Sequence, residues 1–153
     1  MLVGPVELPA YLDRPQIVSR AGGNRLVVDE FNRWGGALDE EVSRVLITRL
    51  ASGLGTDRVF SYPSRLATDV DYRIALDIRS FDGPRGGSVE LALAWSLVDD
   101  RSGAVLRTES ARYQVQSADP GIEAYVAALN DALTAFGNDL ARQIAVLPAR
   151  PAR

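Results

Sequence analysis

The side chains that most often carry enzyme chemistry are scarce in this sequence. Among its 153 residues there is no cysteine and no histidine, and all 17 basic residues are arginine. These absences exclude a thiolate nucleophile, a histidine base and a metal held by cysteine or histidine. A disulfide framework is excluded as well. The residues left to consider for catalysis or metal binding are carboxylates.

The acidic residues that stand together in the sequence fall at predicted turns or helix ends. Asp99 and Asp100 are neighbours in a turn, where their side chains point apart, and we expect both to be solvated. The acidic run at 39–41 opens a predicted helix, where it suits the positive end of the helix dipole. The glycines of 83–87 lie between two predicted strands, and no helix follows to complete a phosphate-binding loop. We therefore predict a protein that is not an enzyme, with no catalytic residue, metal or cofactor.

The overall charge argues against a nucleic-acid partner. A net charge of −3 provides no basic field for a phosphate backbone. No apolar run reaches the about 18 residues of a membrane-spanning helix, and the N-terminus has no signal-peptide pattern. The sequence starts inside a strand-like run at residue 2. We expect its first methionine to be added or internal to a longer protein.

Three apolar runs with a period of two predict a β-meander between residues 72 and 116. Turn-forming residues separate the runs at 83–87 and 99–103. Such alternation places every second side chain on one face of a half-buried antiparallel sheet. The side chains predicted to face inward are those of Tyr72, Ile74, Leu76, Ile78, Leu91, Leu93, Trp95, Leu97, Val105, Tyr113 and Val115. This apolar face needs a cover.

Two predicted helices can provide that cover. The first has an apolar stripe over 38–50, and we expect Gly53 and Gly55 to end it. The second keeps a helical spacing of apolar residues over 122–144 in an alanine-rich background. Gly137 is an interior weak point of this second helix, at a cost of about 1 kcal/mol relative to alanine.

The order of the elements indicates the fold class. Further strands are predicted at residues 2–8, 16–20, 25–31 and 58–62. The resulting order β-β-β-α-β-β-β-β-α predicts an α+β fold. It is a mainly antiparallel sheet with a C-terminal β-meander, covered on one face by two helices. We expect one domain over 1–147 and a disordered tail over 148–153.

The segment from Leu8 to Arg20 is the hardest to explain by the fold alone. Two prolines exclude a helix in its part from Pro9 to Pro15, and we expect that part to run extended. One interpretation is a rigid connector whose Tyr11 and Leu12 enter the core. The other is a preorganised recognition edge, because proline lowers the ordering cost of binding a partner. The candidate partner-binding residues are Tyr11, Leu12, Arg14, Pro15 and Trp34.

The two tryptophans occupy different settings. Trp95 shares its strand face with leucines, which favours packing in the core. Trp34 follows Arg33 at a strand-to-helix junction. It can wedge the helix onto the sheet, or it can belong to a binding surface.

Eight short stretches follow one another in the order found in a known protein family. They are LPAYLDRPQIV at 8–18, NRL at 24–26, EFNRW at 30–34, RVL at 44–46, DYRI at 71–74, LDI at 76–78, FD at 81–82 and WSLVD at 95–99. The stretches lie between residues 8 and 99, and the correspondence as a whole covers nearly the whole chain, from Val3 to about Ile144. Because these stretches occur in this order, the sequence resembles the ABC-type transport auxiliary lipoproteins, the PqiC (YmbA)-like family.

The resemblance implies a role in the bacterial cell envelope. Such proteins are exported, acylated at an N-terminal cysteine and held at the periplasmic face of the outer membrane. The implied partners are an MCE-domain (PqiB-like) protein and, through it, an ABC-type or PqiA-like permease, in lipid transport and membrane integrity. A homo-oligomer is a further possibility. The family contributes no catalytic residues, and this sequence lacks the signal peptide and the lipid-bearing cysteine.

Two functions remain open for such a domain. A module that docks the MCE partner would have a packed core and an exposed apolar strip. A carrier would hold a lipid or another apolar ligand between the helices and the sheet, and would need a sizeable apolar cavity.

Overall fold

The strands and helices follow the predicted order, and the predicted α+β class is confirmed. The computed structural model describes residues 1–22, 25–67 and 69–147. The elements are β1 (Leu2–Glu7), β2 (Gln16–Ala21), β3 (Arg25–Arg33), α1 (Leu38–Leu54), β4 (Phe60–Ser61), β5 (Tyr72–Asp82), β6 (Ser88–Asp99), β7 (Val105–Gln116) and α2 (Ile122–Ala145). The predicted tail over 148–153 lies outside the described residues.

The strands form two sheets. The larger has the order β4-β1-β5-β6-β7, in which β5, β6 and β7 make the predicted antiparallel meander. β1 runs parallel to both of its neighbours, β4 and β5. β2 and β3 form a separate antiparallel hairpin. The hairpin meets the larger sheet where the backbone N–H of Arg20 donates to the carbonyl of Gly83 at 2.9 Å.

The inward face of the meander is as predicted, with one exception. The predicted residues of β5 and β6 from Ile74 to Leu97 are buried. Val105 is instead 62% exposed, so that prediction was wrong. The register shifts at the start of β7, where Leu97 pairs with Arg107 but Val98 pairs with Val105. The extra residue of this bulge turns Val105 to the outer face of the sheet.

The two helices pack against each other at a close crossing that small residues permit. A Cβ atom on Gly53 would lie 2.6 Å from the Cβ of Ala141, and one on Gly137 would lie 2.8 Å from the Cβ of Arg49. α1 ends at Leu54 and is capped by Gly55 with a left-handed φ of 65°, so Gly53 lies inside the helix and Gly55 ends it as predicted. The prediction that Gly53 ends the helix was wrong. Gly137 is more than a weak point, because a larger residue there would push the helices apart.

The connector between β1 and β2 is folded into turns. The carbonyl of Pro9 accepts the backbone N–H of Leu12 at 3.0 Å and that of Asp13 at 3.2 Å. The predicted extended run was therefore wrong, because proline lacks only the donor and its carbonyl remains able to close a turn. The turn places the side chain of Leu12 in the core.

Candidate functional site

The acidic residues considered for chemistry have structural partners. The run at 39–41 lies in the first turn of α1, as predicted. Asp100 is exposed, as expected, but Asp99 is buried, and its Oδ1 accepts the backbone N–H groups of Arg101 and Ser102. The prediction of a solvated Asp99 was wrong, because its carboxylate closes the turn between β6 and β7. Over 1–22, 25–67 and 69–147, no three acidic groups come together in a way that could hold a metal ion.

A buried carboxylate joins the connector to both sheets. Asp82, at the end of β5, accepts the hydroxyl of Tyr11 through Oδ2 at 2.5 Å. Its Oδ1 accepts the Nε–H of Arg20 from β2 at 2.6 Å. The Arg20 guanidinium also lies over the Tyr11 ring, 5.4 Å from its centroid. Both oxygens of the buried Asp82 therefore have a partner, and three separate segments meet at one carboxylate.

A second buried hydroxyl lies beside this carboxylate. The Tyr125 hydroxyl of α2 donates to the carbonyl of Val18 at 2.6 Å and accepts the N–H of Gly83 at 3.2 Å. Burial raises the pKa of Tyr125. Burial is also the larger cause for Tyr11, and together with the hydrogen bond to Asp82 it raises the pKa of Tyr11 to about 12. Both phenols are therefore neutral donors near neutral pH. We call Tyr11, Arg20, Asp82 and Tyr125 the junction cluster.

The structure brings three of the five predicted partner-binding residues together at the surface. Arg14 and Pro15 are exposed, and they line a shallow depression together with the half-buried Trp34. The backbone N–H of Trp34 donates to the carbonyl of Pro15 at 2.9 Å, which holds this depression together. Leu12 is buried in the core, and the hydroxyl of Tyr11 is committed to the junction cluster.

Trp34 contacts the larger sheet and also lines a cleft. It stacks on Phe81 of β5 with centroids 6.2 Å apart and an interplanar angle of 20°. It also lines a cleft of about 250 Å³ between the two helices and the strands. The other lining residues are mainly apolar, with Arg33, Glu41 and Asn130 among them. Trp34 thus lies between this cleft and the larger sheet. Trp95 is buried in the core, as predicted.

The sequence reading missed the exposure of β3. Phe31 is 94% exposed, and the run Leu26–Val28 is also on the surface, at 36–41%. In the described part of the chain β3 has a single strand neighbour, β2, so its other edge is unpaired. The available signal was that apolar residues occupy successive positions, which puts them on both faces of the strand. An apolar run of this kind is otherwise typical of a strand buried on both faces.

The exposed strand leads along the chain directly into the depression. Gln16 at the start of β2 pairs with Arg33 at the end of β3, directly beside Trp34. Asp29 stays ionised within the strand, because hydrogen bonds from the Asn32 side chain and the Phe31 backbone lower the pKa of its carboxyl. We call Leu26, Val27, Val28, Phe31, Trp34, Arg14 and Pro15 the hairpin surface. It combines an open strand edge, exposed apolar side chains and a cleft.

Comparison with protein families gives a match over nearly the whole chain. The family model described as the ABC-type transport auxiliary lipoprotein component matches residues 1–145. The sequence resemblance to this family is thereby confirmed. A comparison with curated proteins found no significant match. In the described part of the chain, no helix has the length and apolar character needed to cross a membrane.

Solved structures share the fold. The crystal structure of XCC0632 from Xanthomonas campestris, assigned to the family DUF330, matches with a TM-score of 0.80 at 19% identity, over 95% of this chain and 82% of that one. An uncharacterized protein matches with a TM-score of 0.79 at 21% identity, over 94% and 91% of the two chains. The dodecameric PelC from Paraburkholderia phytofirmans has a TM-score of 0.52 at 16% identity, over 72% and 76%.

Proposed function

Since this chain belongs to the family of ABC-type transport auxiliary lipoprotein components, we propose that it is a docking module for an MCE-domain partner. It is anchored by lipid at the periplasmic face of the outer membrane and receives a PqiB-like protein that spans the periplasm. Through that protein it is connected to an ABC-type or PqiA-like permease in lipid transport. Its contribution to membrane integrity is to hold the end of this assembly at the membrane.

The hairpin surface is the observation that supports docking. The inner faces of the sheet and both helices share one packed core, so the domain does not need the apolar residues of β3 for its own burial. An apolar strand with an unpaired edge is a template for another strand, and most proteins protect such edges. We assign the edge to an extended segment of the MCE partner, paired by backbone hydrogen bonds. The cleft beside Trp34 can take one large apolar side chain from that segment.

A second copy of the chain is the main competitor for this edge. PelC, which has a related fold, is a dodecamer. We include a homo-oligomer in the proposal, but assign the copy-to-copy contact to a surface other than β3. A ring of copies would then present several hairpin surfaces to one partner.

The carrier is the second candidate function, because the cleft beside Trp34 lies between the helices and the sheet. Its volume of about 250 Å³ is small for this purpose. Pockets for drug-sized ligands are commonly about 300–1,000 Å³. The cleft therefore favours a single side chain over a lipid molecule.

The test compares two surface variants with a matched control for binding to the purified MCE partner. Phe31→Ser removes an apolar contact of the hairpin surface, and Arg14→Glu reverses a charge in the depression. Leu66→Ser removes a similarly exposed apolar side chain in the loop after β4, outside the hairpin. We expect each hairpin variant to weaken binding at least about tenfold, which is about 1.4 kcal/mol. We expect the control to change it less than about twofold, as for a residue outside an interface.

Native mass spectrometry of the same samples separates the competing functions. A complex with the MCE partner that carries no lipid supports docking. Lipid adducts on a chain that does not bind the MCE partner would favour the carrier function. A homo-oligomer that Phe31→Ser dissociates, with no binding of the MCE protein, would instead make the hairpin surface a contact between copies and overturn the proposal.

A further inference from the structure

The cleft beside Trp34 continues into a polar groove that follows the two helices. The two hollows share the lining residues Glu41, Val45 and Asn130. The groove has a volume of about 500 Å³, and its other lining residues are Arg44, Thr48, Arg49 and Thr134. An apolar hollow and a polar hollow therefore adjoin, and one bound segment can occupy both.

The packing of the helices explains where the groove ends. Val42 and Val126, near the starts of α1 and α2, both line the cleft. Further along both helices, a Cβ atom on Gly137 would lie 2.9 Å from the Cγ of Arg49. The helices therefore run side by side in the same direction, with the cleft toward their starts and a close contact farther on. The stem of Arg49 lies at that contact, and its side chain lines the groove.

Arg49 is a cation without a partner in the part of the chain that the structure describes. Its side chain is half-buried, and no described residue forms an ion pair or a hydrogen bond with it. The side chains of Asn130 and Thr134 on the facing helix also have no hydrogen bond to a described residue. Arg44 differs, because it pairs with Glu41. The groove therefore presents a guanidinium, an amide and a hydroxyl as unused hydrogen-bond donors.

The charge of the lining favours an anion. Among the described residues that line the cleft and the groove, the charged ones are Arg33, Arg44, Arg49 and Glu41. Three arginines therefore stand against one glutamate, in a chain whose net charge is −3. A guanidinium binds a carboxylate through two parallel hydrogen bonds, and such a pair is stronger where it is partly removed from water. The groove is therefore suited to a carboxylate, next to a cleft suited to an apolar side chain.

The spacing of the two hollows limits the sequence of a bound segment. Val42 of the cleft and Arg49 of the groove are about two turns apart on α1, which is about 11 Å along the helix. In an extended segment, side chains on the same face are two or four residues apart, which is about 7 or 14 Å. The long stem of an arginine can make up the difference. The segment therefore needs an aspartate or glutamate two or four residues from its large apolar residue.

We propose that the groove between α1 and α2 binds an acidic residue of the MCE partner, whose carboxylate accepts hydrogen bonds from Arg49. This inference rests on the proposed function and deepens it, because it states the chemistry of the docked segment: a large apolar residue with an acid two or four positions away.

Two other occupants could offer the same groups, and the structure favours neither. A free fatty acid has a carboxylate and an apolar chain, but a cleft of about 250 Å³ admits a side chain more readily than an acyl chain. Another copy of this chain has Phe31 with Asp29 two positions away. Both oxygens of Asp29 already accept hydrogen bonds within β3, so this carboxylate is not available to Arg49.

The test measures binding of the purified MCE partner by isothermal titration calorimetry. We expect Arg49→Gln to weaken binding about tenfold, because the charge and the forked donors are lost, and Arg49→Glu at least about thirtyfold, because like charges then meet. Arg65→Gln, at an exposed arginine in the loop after β4, is the matched control and should change binding less than about twofold. The glutamine at position 49 keeps the Cβ and Cγ atoms that pack against Gly137, so we expect an unchanged melting temperature.

A charge swap identifies the acid of the partner. Each aspartate or glutamate of the MCE protein that lies two or four residues from a large apolar residue is replaced by arginine and combined with Arg49→Glu. We expect one of these pairs to bind within about threefold of the wild-type affinity, since contacting residues are energetically coupled. Arg49 variants that bind as tightly as the control, or a loss that no swap restores, would overturn the inference.

The outcomes separate this inference from the proposed function. Weaker binding of Phe31→Ser with unchanged binding of both Arg49 variants would leave docking at β3 intact and end the role of the groove. The reverse result would support the groove and end docking at β3. Dodecanoate that binds the domain through Arg49 while the partner binds independently of Arg49 would assign the groove to a free amphiphile and overturn the inference. A homo-oligomer that Arg49→Glu dissociates, without any effect on the MCE partner, would assign it to another copy and overturn the inference as well.

Discussion

The two strands of the hairpin have similar apolar content but very different surroundings. β2 is buried at Ile17, Val18 and Ser19, whereas its partner β3 is exposed over most of its length. Val18 and Val28 face each other in the register, yet Val18 is 3% exposed and Val28 is 36% exposed. The difference arises because helix α2 and the end of β5 contact β2 through Val18 and Arg20, whereas no strand of the described chain pairs with the second edge of β3. Apolar residues thus stabilise the fold in one strand and remain available for binding in the next.

The junction cluster is what keeps β2 on the covered side. Its hydrogen bonds join residues that are between 42 and 107 positions apart in the chain. Such long-range bonds between buried groups are costly to break, because a partner left behind is desolvated and unpaired. β3 has no equivalent link to the core, so its side chains can change with little effect on folding.

The largest effect is expected from Asp82→Ala. The substitution removes two charge-assisted hydrogen bonds and leaves the Arg20 guanidinium without its carboxylate. We expect the free energy of unfolding to fall by about 3 kcal/mol. Urea denaturation followed by tryptophan fluorescence measures this change. Asp13→Ala, at an exposed position of the connector, is the matched control and should cost less than about 0.5 kcal/mol. Equal costs for the two variants would contradict the structural role of the junction cluster.

A smaller effect is expected from Tyr125→Phe, which keeps the ring and removes the hydroxyl. The carbonyl of Val18 and the N–H of Gly83 then lose their buried partner. We expect a loss of about 2 kcal/mol in the free energy of unfolding, measured by the same denaturation. Tyr113→Phe is the control, because its hydroxyl bonds the half-exposed Asp139 and should cost about 1 kcal/mol or less. A loss at Tyr113 that exceeds the loss at Tyr125 would show that the hairpin is held by other contacts.

The smallest effect on the free energy of unfolding is expected from Val28→Thr. The same substitution at Val18, which pairs with Val28, is the comparison. The same change at Val18 puts a hydroxyl in the core and should lower the free energy of unfolding by about 2 kcal/mol. At Val28 water can reach the new hydroxyl, so we expect a change within about 0.5 kcal/mol. Thermal denaturation of both variants gives the comparison. Similar losses at the two positions would mean that β3 is covered in solution, for example by another copy of the chain.

The sequence predicted most of the elements but not how the hairpin is placed. The alternation in β5 and β6 correctly identified the inward face from Ile74 to Leu97, because period-two burial depends only on the local pleat. Val105 was misassigned, since a bulge changes the register without changing the local pattern. Gly53 was read as a helix end, because the close approach of Ala141 depends on the second helix. The connector was read as extended, although the Pro9 carbonyl closes a turn.

The candidate site was predicted only in part. Arg14, Pro15 and Trp34 do meet at the surface, at the end of the segment that the sequence singled out. Leu12 and Tyr11 belong to the same segment, but Leu12 is buried in the core and the Tyr11 hydroxyl bonds Asp82 in the junction cluster. The sequence predicted β3 as a strand at 25–31 but not its exposure, because an apolar run looks the same whether or not another element covers it.

The sequence by itself determined the α+β class, the order of nine elements, the inward face of the meander and the family. These follow from local spacing and from short stretches in series, which need no knowledge of distant contacts. Tertiary structure alone decided which strand of the hairpin is covered and which connector residues remain at the surface. The physical reason is that a pattern of apolar side chains shows which residues favour burial, whereas burial itself requires another part of the chain to pack against them.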